Sequence, residues 1–285
     1  TGALTVKSDV DRVWTALHDK SKKVVVQVAP AVRVAFSEAF DQEPGTIGTG
    51  QLVAALRRIG FDRVYDTCFT ADLTVQEEYH EFAERLRTDG HLPLFTSCCP
   101  AWVKFAEQFY PEYLDNISTC RSPQGMFGAI AKAYLPKELD VAREDLYVVS
   151  IMPCTAKKFE AQRHELGQNG VLDVDAVLTT QEIAQMVREA NLNFDKLPAE
   201  AFDLPFGMAT GAGMIFGVTG GVAEAVLRTA ARAVDGKTPP VEFKAVRGLE
   251  SLKEAAIKLG DQEIKVAVVH GLSQAKALIE AIKKG

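Results

Sequence analysis

Short apolar runs alternate with amphipathic stretches along this chain, the pattern of a mostly parallel sheet covered by helices. Strands are predicted at Val24 to Ala29, Arg63 to Thr67, Leu92 to Phe95, Leu146 to Ile151, Val174 to Leu178, Phe243 to Val246 and Ile264 to Val269. Helices are predicted at Gln51 to Arg58, Val75 to Thr88, Trp102 to Phe109, Gln124 to Tyr134, Gln181 to Ala190, Val222 to Val234, Ser251 to Leu259 and Ser273 to Ile282. Thr74, with Glu77 three residues on, suggests a capping box opening the second of these helices. Polar or Gly/Pro-containing stretches at 41–50, 191–211 and 235–240 serve as connectors, and 191–211 is the natural place for a boundary between two lobes.

Two of the predicted strands run directly into cysteines. Leu92-Pro-Leu leads into Phe95-Thr-Ser-Cys98-Cys99-Pro100-Ala-Trp102, and Leu146-Tyr-Val-Val leads into Ser150-Ile-Met152-Pro153-Cys154-Thr-Ala-Lys157. Thiolates are soft ligands for iron-sulfur clusters, and strand ends are where α/β proteins present working groups. Pro100 favours a turn before a helix, and adjacent residues point apart, so one of Cys98 and Cys99 can bind metal while the other faces elsewhere. The plainer alternative is a set of buried apolar cysteines.

Five cysteines form an odd, sparse set, and the Cys98-Cys99 pair is awkward for two separate disulfides, so reduced thiols are expected. Lys157 lies three residues after Cys154, on the same face if a helix opens there. It either donates to an anion beside the metal or forms a solvated pair with Glu160. Glu78 and Glu81 share a helix face, as a proton relay requires, although a solvated Glu/Arg face with Arg85 is the commoner origin of such a run. The glycines from Gly211 to Gly221 precede a helix but lack a Walker lysine, so close backbone packing around a compact ligand explains them as well as phosphate binding does. The histidines at 18, 80, 91, 164 and 270 have no paired metal spacing.

Of the 285 residues, 47% are hydrophobic and 25% charged, an ordinary globular composition long enough for one large domain or two lobes. The formal charge of −6 gives no basic footprint for nucleic acid. No apolar stretch approaches a bilayer span, and the first residues lack the features of a signal peptide, so a cytoplasmic location is expected, with a periplasmic one as the alternative.

The cysteine segments closely resemble the first two signature motifs of the [FeFe] hydrogenases. The resemblance extends over essentially the whole chain, through Val28-Ala-Pro-Ala-Val-Arg33, Ala71-Asp-Leu-Thr74 with Glu77-Glu78, Arg121-Ser-Pro-Gln124, Gly211 to Arg228 and Val246-Arg-Gly-Leu249. It implies an α/β fold of two lobes, with twisted, mostly parallel sheets flanked by helices and the active site in the cleft between them. It also implies a six-iron H-cluster, a [4Fe-4S] cubane joined to a diiron subcluster carrying CO, cyanide and a bridging dithiolate. By this likeness Cys99 and Cys154 are cubane ligands, and Cys98 is the thiol that shuttles protons. Glu78, Ser118, Glu81 and Arg85 match the relay to solvent. Lys157 and the backbone at Ala29-Pro30 match groups beside the two cyanides, and Gln124, Met152 and Phe216 match the lining of the diiron pocket.

The function implied is reversible oxidation of H2 to protons and electrons. Implied partners are iron-sulfur electron-transfer domains or subunits, a ferredoxin or NAD(P)-linked diaphorase, and maturation proteins. The family's third motif, a Gly-rich segment with the other two cysteine ligands, has no counterpart before Gly285. A cubane takes four ligands, so a truncated chain or a C-terminal piece carried elsewhere is expected, and N-terminal iron-sulfur domains are likewise absent from this stretch. The alternative class is a non-catalytic hydrogenase-like iron-sulfur protein, an assembly or sensory module. Retention of Cys98, Glu78, Glu81 and Lys157 favours the enzyme.

Overall fold

The computed structural model describes residues 4–88, 90–216, 220–236, 244–246, 249–260 and 262–284. The elements are α1 (Val10–His18), β1 (Lys23–Val28), α2 (Pro30–Ala35), α3 (Thr49–Ile59), β2 (Arg63–Asp66), α4 (Thr67–Arg87), α5 (Pro100–Phe109), α6 (Pro123–Leu139), β3 (Leu146–Met152), α7 (Ala156–Ala161), β4 (Gly167–Gln168), β5 (Val171–Leu172), β6 (Ala176–Thr179), α8 (Thr180–Glu189), α9 (Gly211–Ile215), α10 (Gly221–Asp235), β7 (Lys244–Val246), β8 (Leu249–Leu259), β9 (Gln262–Val269) and α11 (Leu272–Ile282). They gather into two units, Thr1–Leu73 with Arg121–Met214 and Thr74–Cys120 with Ile215–Gly285. The divisions fall inside α4, after Cys120, and after Met214, just past the 191–211 connector.

The first unit is built on a parallel sheet in the order β2-β1-β3-β6. Its central strands β1 and β3 read as nearly continuous Val/Ile runs because both faces are covered, and Val25, Val26, Val148 and Val149 have no exposed surface. Gln27 interrupts the run in β1 and is also fully buried. Its amide donates to Ser150 Oγ (2.8 Å) and to the Gln124 carbonyl (3.1 Å), and its Oε1 accepts from Thr67 Oγ1 (2.9 Å). A buried amide so satisfied costs little, and it ties β1 and β3 to the starts of α4 and α6.

The second unit contains a three-stranded antiparallel sheet, β7-β8-β9. Its small core packs Leu227, Ala230 and Ala231 of α10 with Ile257 and Leu259 of β8, and Tyr79 and Phe82 of α4 lie against it.

Three sequence expectations are corrected. Ser251 to Leu259, read as a helix, lies in strand β8, paired along its length with β9 from Leu252↔Val269 to Leu259↔Gln262. Gly260, at φ 58°, turns the chain between the two strands, and cross-strand pairing overrides the helix-forming Lys, Glu and Ala of this segment. Leu92 to Phe95 is no strand; among the described residues it forms a single parallel bridge, Phe95↔Ile117, since Pro93 has no N–H to give a ladder. The helix expected after Thr74 begins at Thr67, where Asp66 Oδ1 accepts the Cys68 amide (2.9 Å), so Thr74 sits within α4 and not at its start. Positions 217–219, 237–243 and 247–248 lie outside the described residues. With them go Phe243 of a predicted strand, most of the 235–240 connector, and parts of the Gly211–Arg228 and Val246–Leu249 segments.

Candidate active site

In the first unit the ends of β1 and β3 come side by side. The Ala29 amide donates to the Ile151 carbonyl (3.0 Å), and Pro30 opens α2 with Ala29 as its extended N-cap. At the end of β3 Met152 is buried, Cys154 beyond it is half-buried, and the Lys157 amide returns to the Cys154 carbonyl (3.2 Å) as α7 begins. Lys157 does pair with Glu160 (2.5 Å), but both are buried, so the pair is no solvated surface contact. Glu160 also accepts from Ser122, whose hydroxyl caps α6, and the Gln124 amide donates to the Lys157 carbonyl (3.1 Å). Gln124 Oε1 is buried with no partner among the described residues.

Two of the glycines of 211–221, Gly213 and Gly221, serve close packing of backbone on backbone, whereas a Cβ on Gly211 would meet nothing within 4 Å. A Cβ on Gly213 would lie 2.4 Å from the Cys68 carbonyl, and one on Gly221 would lie 1.7 Å from the Ile215 carbonyl. Phe216, next in sequence, is half-buried.

In the second unit Cys98 is half-buried and Cys99 exposed. Cys99 is the extended N-cap residue of α5, with Pro100 at its first turn, and its amide donates to Ser97 Oγ (3.1 Å). Among the described residues none of the five cysteines is joined in a disulfide.

One helical turn of α4 carries two carboxylates in contrasting surroundings. Glu78 is 4% exposed; its Oε1 accepts a short hydrogen bond from Thr96 Oγ1, and its Oε2 has no partner among the described residues. Burial pushes its pKa up to about 7, against the Thr96 bond and with help from the Glu81 charge. Burial acts on Glu81 too, but Ser118 Oγ (2.7 Å), the Thr119 amide (3.1 Å) and Arg85 (2.7 Å) hold its carboxyl below the usual value. Arg85 gives three further Nη hydrogens to the carbonyls of His91, Asp115 and Ile117, which fix the fork. Cys120 Sγ lies 3.6 Å from Glu81 Oε2, and burial pushes its thiol up to about 12. Glu78 is therefore poised to take and release protons near neutrality while Glu81 stays ionised.

The structure thus joins Glu81, Arg85 and Ser118 directly, with Glu78 one turn away, and joins Gln124 to Lys157. Cys98 and Cys99 belong to the second unit and Cys154 to the first. Sequence reasoning passed over Thr96, Thr119, Ser122 and Cys120; the Ser122-Pro123 pair, a helix-start signal, was the one local cue.

Residues 22–285 match the family model described as iron only hydrogenase large subunit, C-terminal domain. The NADP-reducing hydrogenase subunit HndD of Solidesulfovibrio fructosivorans is 50% identical over 100% of this chain and 50% of its own length. The periplasmic [Fe] hydrogenase large subunit of Nitratidesulfovibrio vulgaris is 49% identical over 98% of this chain and 67% of its own. More distant is Protein NAR1 of Arabidopsis thaliana, at 32% identity over 99% of this chain and 65% of its own. A solved variant of the apo [FeFe]-hydrogenase HydA1 from Chlamydomonas reinhardtii superposes with a TM-score of 0.84 at 37% identity, over 96% of this chain and 78% of that one. The chain spans half the length of HndD, the first of these relatives. With the match running over nearly all of its residues, the chain belongs to the iron-only hydrogenase large-subunit family, as the C-terminal domain that the family model describes.

Proposed function

We propose that this chain is the core of an [FeFe] hydrogenase that interconverts H2 with protons and electrons. The observation that carries the proposal is Glu78, a buried carboxyl titrating near neutrality one helical turn from the ionised Glu81, in a chain of hydrogenase family that also retains the Cys98 thiol. A protein that moves no protons has no need of so costly a burial.

The donor set fits the family's cofactor in chemistry. Cys99 and Cys154 are unpaired by disulfides and stand at helix starts, and no cluster of three His, Cys, Asp or Glu among the described residues offers a rival site for a lone metal ion. They would supply two thiolates to a [4Fe-4S] cluster, the other two coming from a further segment or chain. Lys157, held by Glu160, and Gln124, with its orphaned Oε1, would face the diiron part with Met152, Phe216 and the Ala29-Pro30 backbone. The bound cluster would supply the iron at which H2 is split or formed and the path for its electrons.

The chain's own residues would hold and move protons. Cys98 would take the proton at its sulfur, Glu78 would receive it at a carboxyl oxygen, and Glu81 with Ser118 and Arg85 would carry it on toward solvent. Relatives named as an NADP-reducing subunit and as a large subunit support electron transfer to further subunits or domains.

The test is the full-length protein loaded with a synthetic diiron complex. We expect H2 evolution, infrared bands of metal-bound CO and cyanide, and for Cys98→Ala the same bands with turnover lowered at least about a hundredfold. Near-normal turnover in Cys98→Ala would remove its assigned role. A second reading, a non-catalytic iron-sulfur protein, draws on the likeness to NAR1; it requires a loaded wild-type protein that evolves no H2.

A further inference from the structure

We infer that Thr96 is a positioning residue for proton transfer, its hydroxyl fixing Glu78 Oε1 as an acceptor and so leaving Oε2 as the oxygen that takes up the proton in transit. The inference rests on the hydrogenase reading above. It begins with the single bridge Phe95↔Ile117, closed by the Phe95 amide on the Asn116 carbonyl and the Ser118 amide on the Phe95 carbonyl, each 2.8 Å. The bridge sets Thr96 and Ser118, each the next residue, at matching positions on two extended segments. Both hydroxyls then reach α4 and donate to carboxylates one helical turn apart, Thr96 to Glu78 and Ser118 to Glu81.

The two carboxylates differ in what else they meet. Glu81 has Arg85 and the Thr119 amide besides its hydroxyl, whereas Glu78 has Thr96 alone among the described residues. A threonine hydroxyl carries one hydrogen, so giving it to Oε1 leaves that oxygen the poorer proton acceptor and Oε2 the open one. The titratable groups acting on Glu78 are Glu81, one turn on in α4, and Cys120, beyond Ser118 on the bridged segment. Arg85 reaches it only by way of Glu81. Removing the Thr96 donor therefore withdraws the one bond that favours the ionised form of Glu78, and its titration should move to higher pH.

The experiment follows the infrared carboxyl band of Glu78, identified by its loss in Glu78→Gln, through a pH titration of the full-length protein without its cluster. Thr96→Val should raise the midpoint by about one pH unit, a charge-assisted hydrogen bond being worth roughly that much. Thr96→Ala, free of any packing strain from valine, should do the same, and Thr96→Ser, which keeps the hydroxyl, should titrate as wild type. In the loaded enzyme the corresponding limb of the pH profile for H2 evolution should move the same way. Midpoints unchanged in Thr96→Val and Thr96→Ala, or a Thr96→Ser midpoint shifted as far as theirs, would overturn the assignment. A loaded wild-type protein without H2 turnover would instead overturn the hydrogenase reading, while the band titration still judged Thr96 by itself.

Discussion

Glu78 shows how burial gives a single side chain a thermodynamic signature. Its carboxyl titrates near 7 in the folded protein against an ordinary value of 4.5. Between those pH values the folded state holds a proton that the unfolded chain has released, so stability falls as pH rises through the window. By neutral pH and above the cost is about 3 kcal/mol. Glu78→Gln cannot ionise, and its unfolding free energy from urea melts should lose about 3 kcal/mol less than wild type between pH 4.5 and 7; parallel curves would mean the carboxyl is solvated after all. The spacing of Glu78 and Glu81 on one helix face was legible in the sequence. Which of them is buried was not, because that depends on Thr96 and Ser118, residues distant along the chain that approach α4 only after the Phe95↔Ile117 bridge forms.

At the scale of elements, agreement between sequence and structure follows how far a segment's partners lie from it. The central strands of the parallel sheet, β1 and β3, carry Val/Ile runs that are buried on both faces, and they appear where the pattern puts them. β8 is the opposite case. Its Lys, Glu and Ala favour helix locally, yet pairing with β7 and β9 and the apolar contact of Ile257 with α10 decide for strand. Ile257 is buried beside an exposed Ala256, the alternation that a one-sided strand requires. Ile257→Ala should therefore destabilise the protein by about 3 kcal/mol, read as a lower urea midpoint at unchanged slope, and Ala256→Ser should cost under about 0.5 kcal/mol. Equal effects at the two positions would contradict the strand register.

Across the first unit, a buried ion network joins residues far apart in sequence. Lys158 of α7 donates to Glu182 (3.0 Å), Asp9 (3.3 Å) and the Val177 carbonyl (2.6 Å), tying α7 to β6, to the start of α8 and to the residue before α1. α7 begins two residues after Cys154, so this network also steadies the turn that presents that thiol. Burial pushes Asp9 and Glu182 up, but amide bonds from Val177 and Thr179, Arg12 at Asp9, and Lys158 at both hold their pKa values low. Their contribution is therefore present above the ordinary values of 3.8 and 4.5 and is lost as pH falls through the lowered folded ones. Lys158→Met leaves both carboxylates without their shared cation and should cost about 3 kcal/mol at pH 7. The gap from wild type should narrow in acid as the carboxylates protonate; a constant gap across pH would show that Lys158 acts through packing alone.

The sequence by itself determined the elements whose environment is written in their own residues. These are the buried strands of a parallel α/β sheet and the proline-started helix α5, whose Pro100 follows the Cys98-Cys99 pair. Tertiary structure alone decided which polar groups left water. Glu78 and Glu81 are equivalent on a helical wheel, and Lys157 is indistinguishable in sequence from a surface lysine. The fold buries Glu78 with one donor, surrounds Glu81 with four, and closes Lys157 and Glu160 into a buried pair. Desolvation and hydrogen bonding by residues remote in the chain set those proton affinities, and no local pattern encodes them.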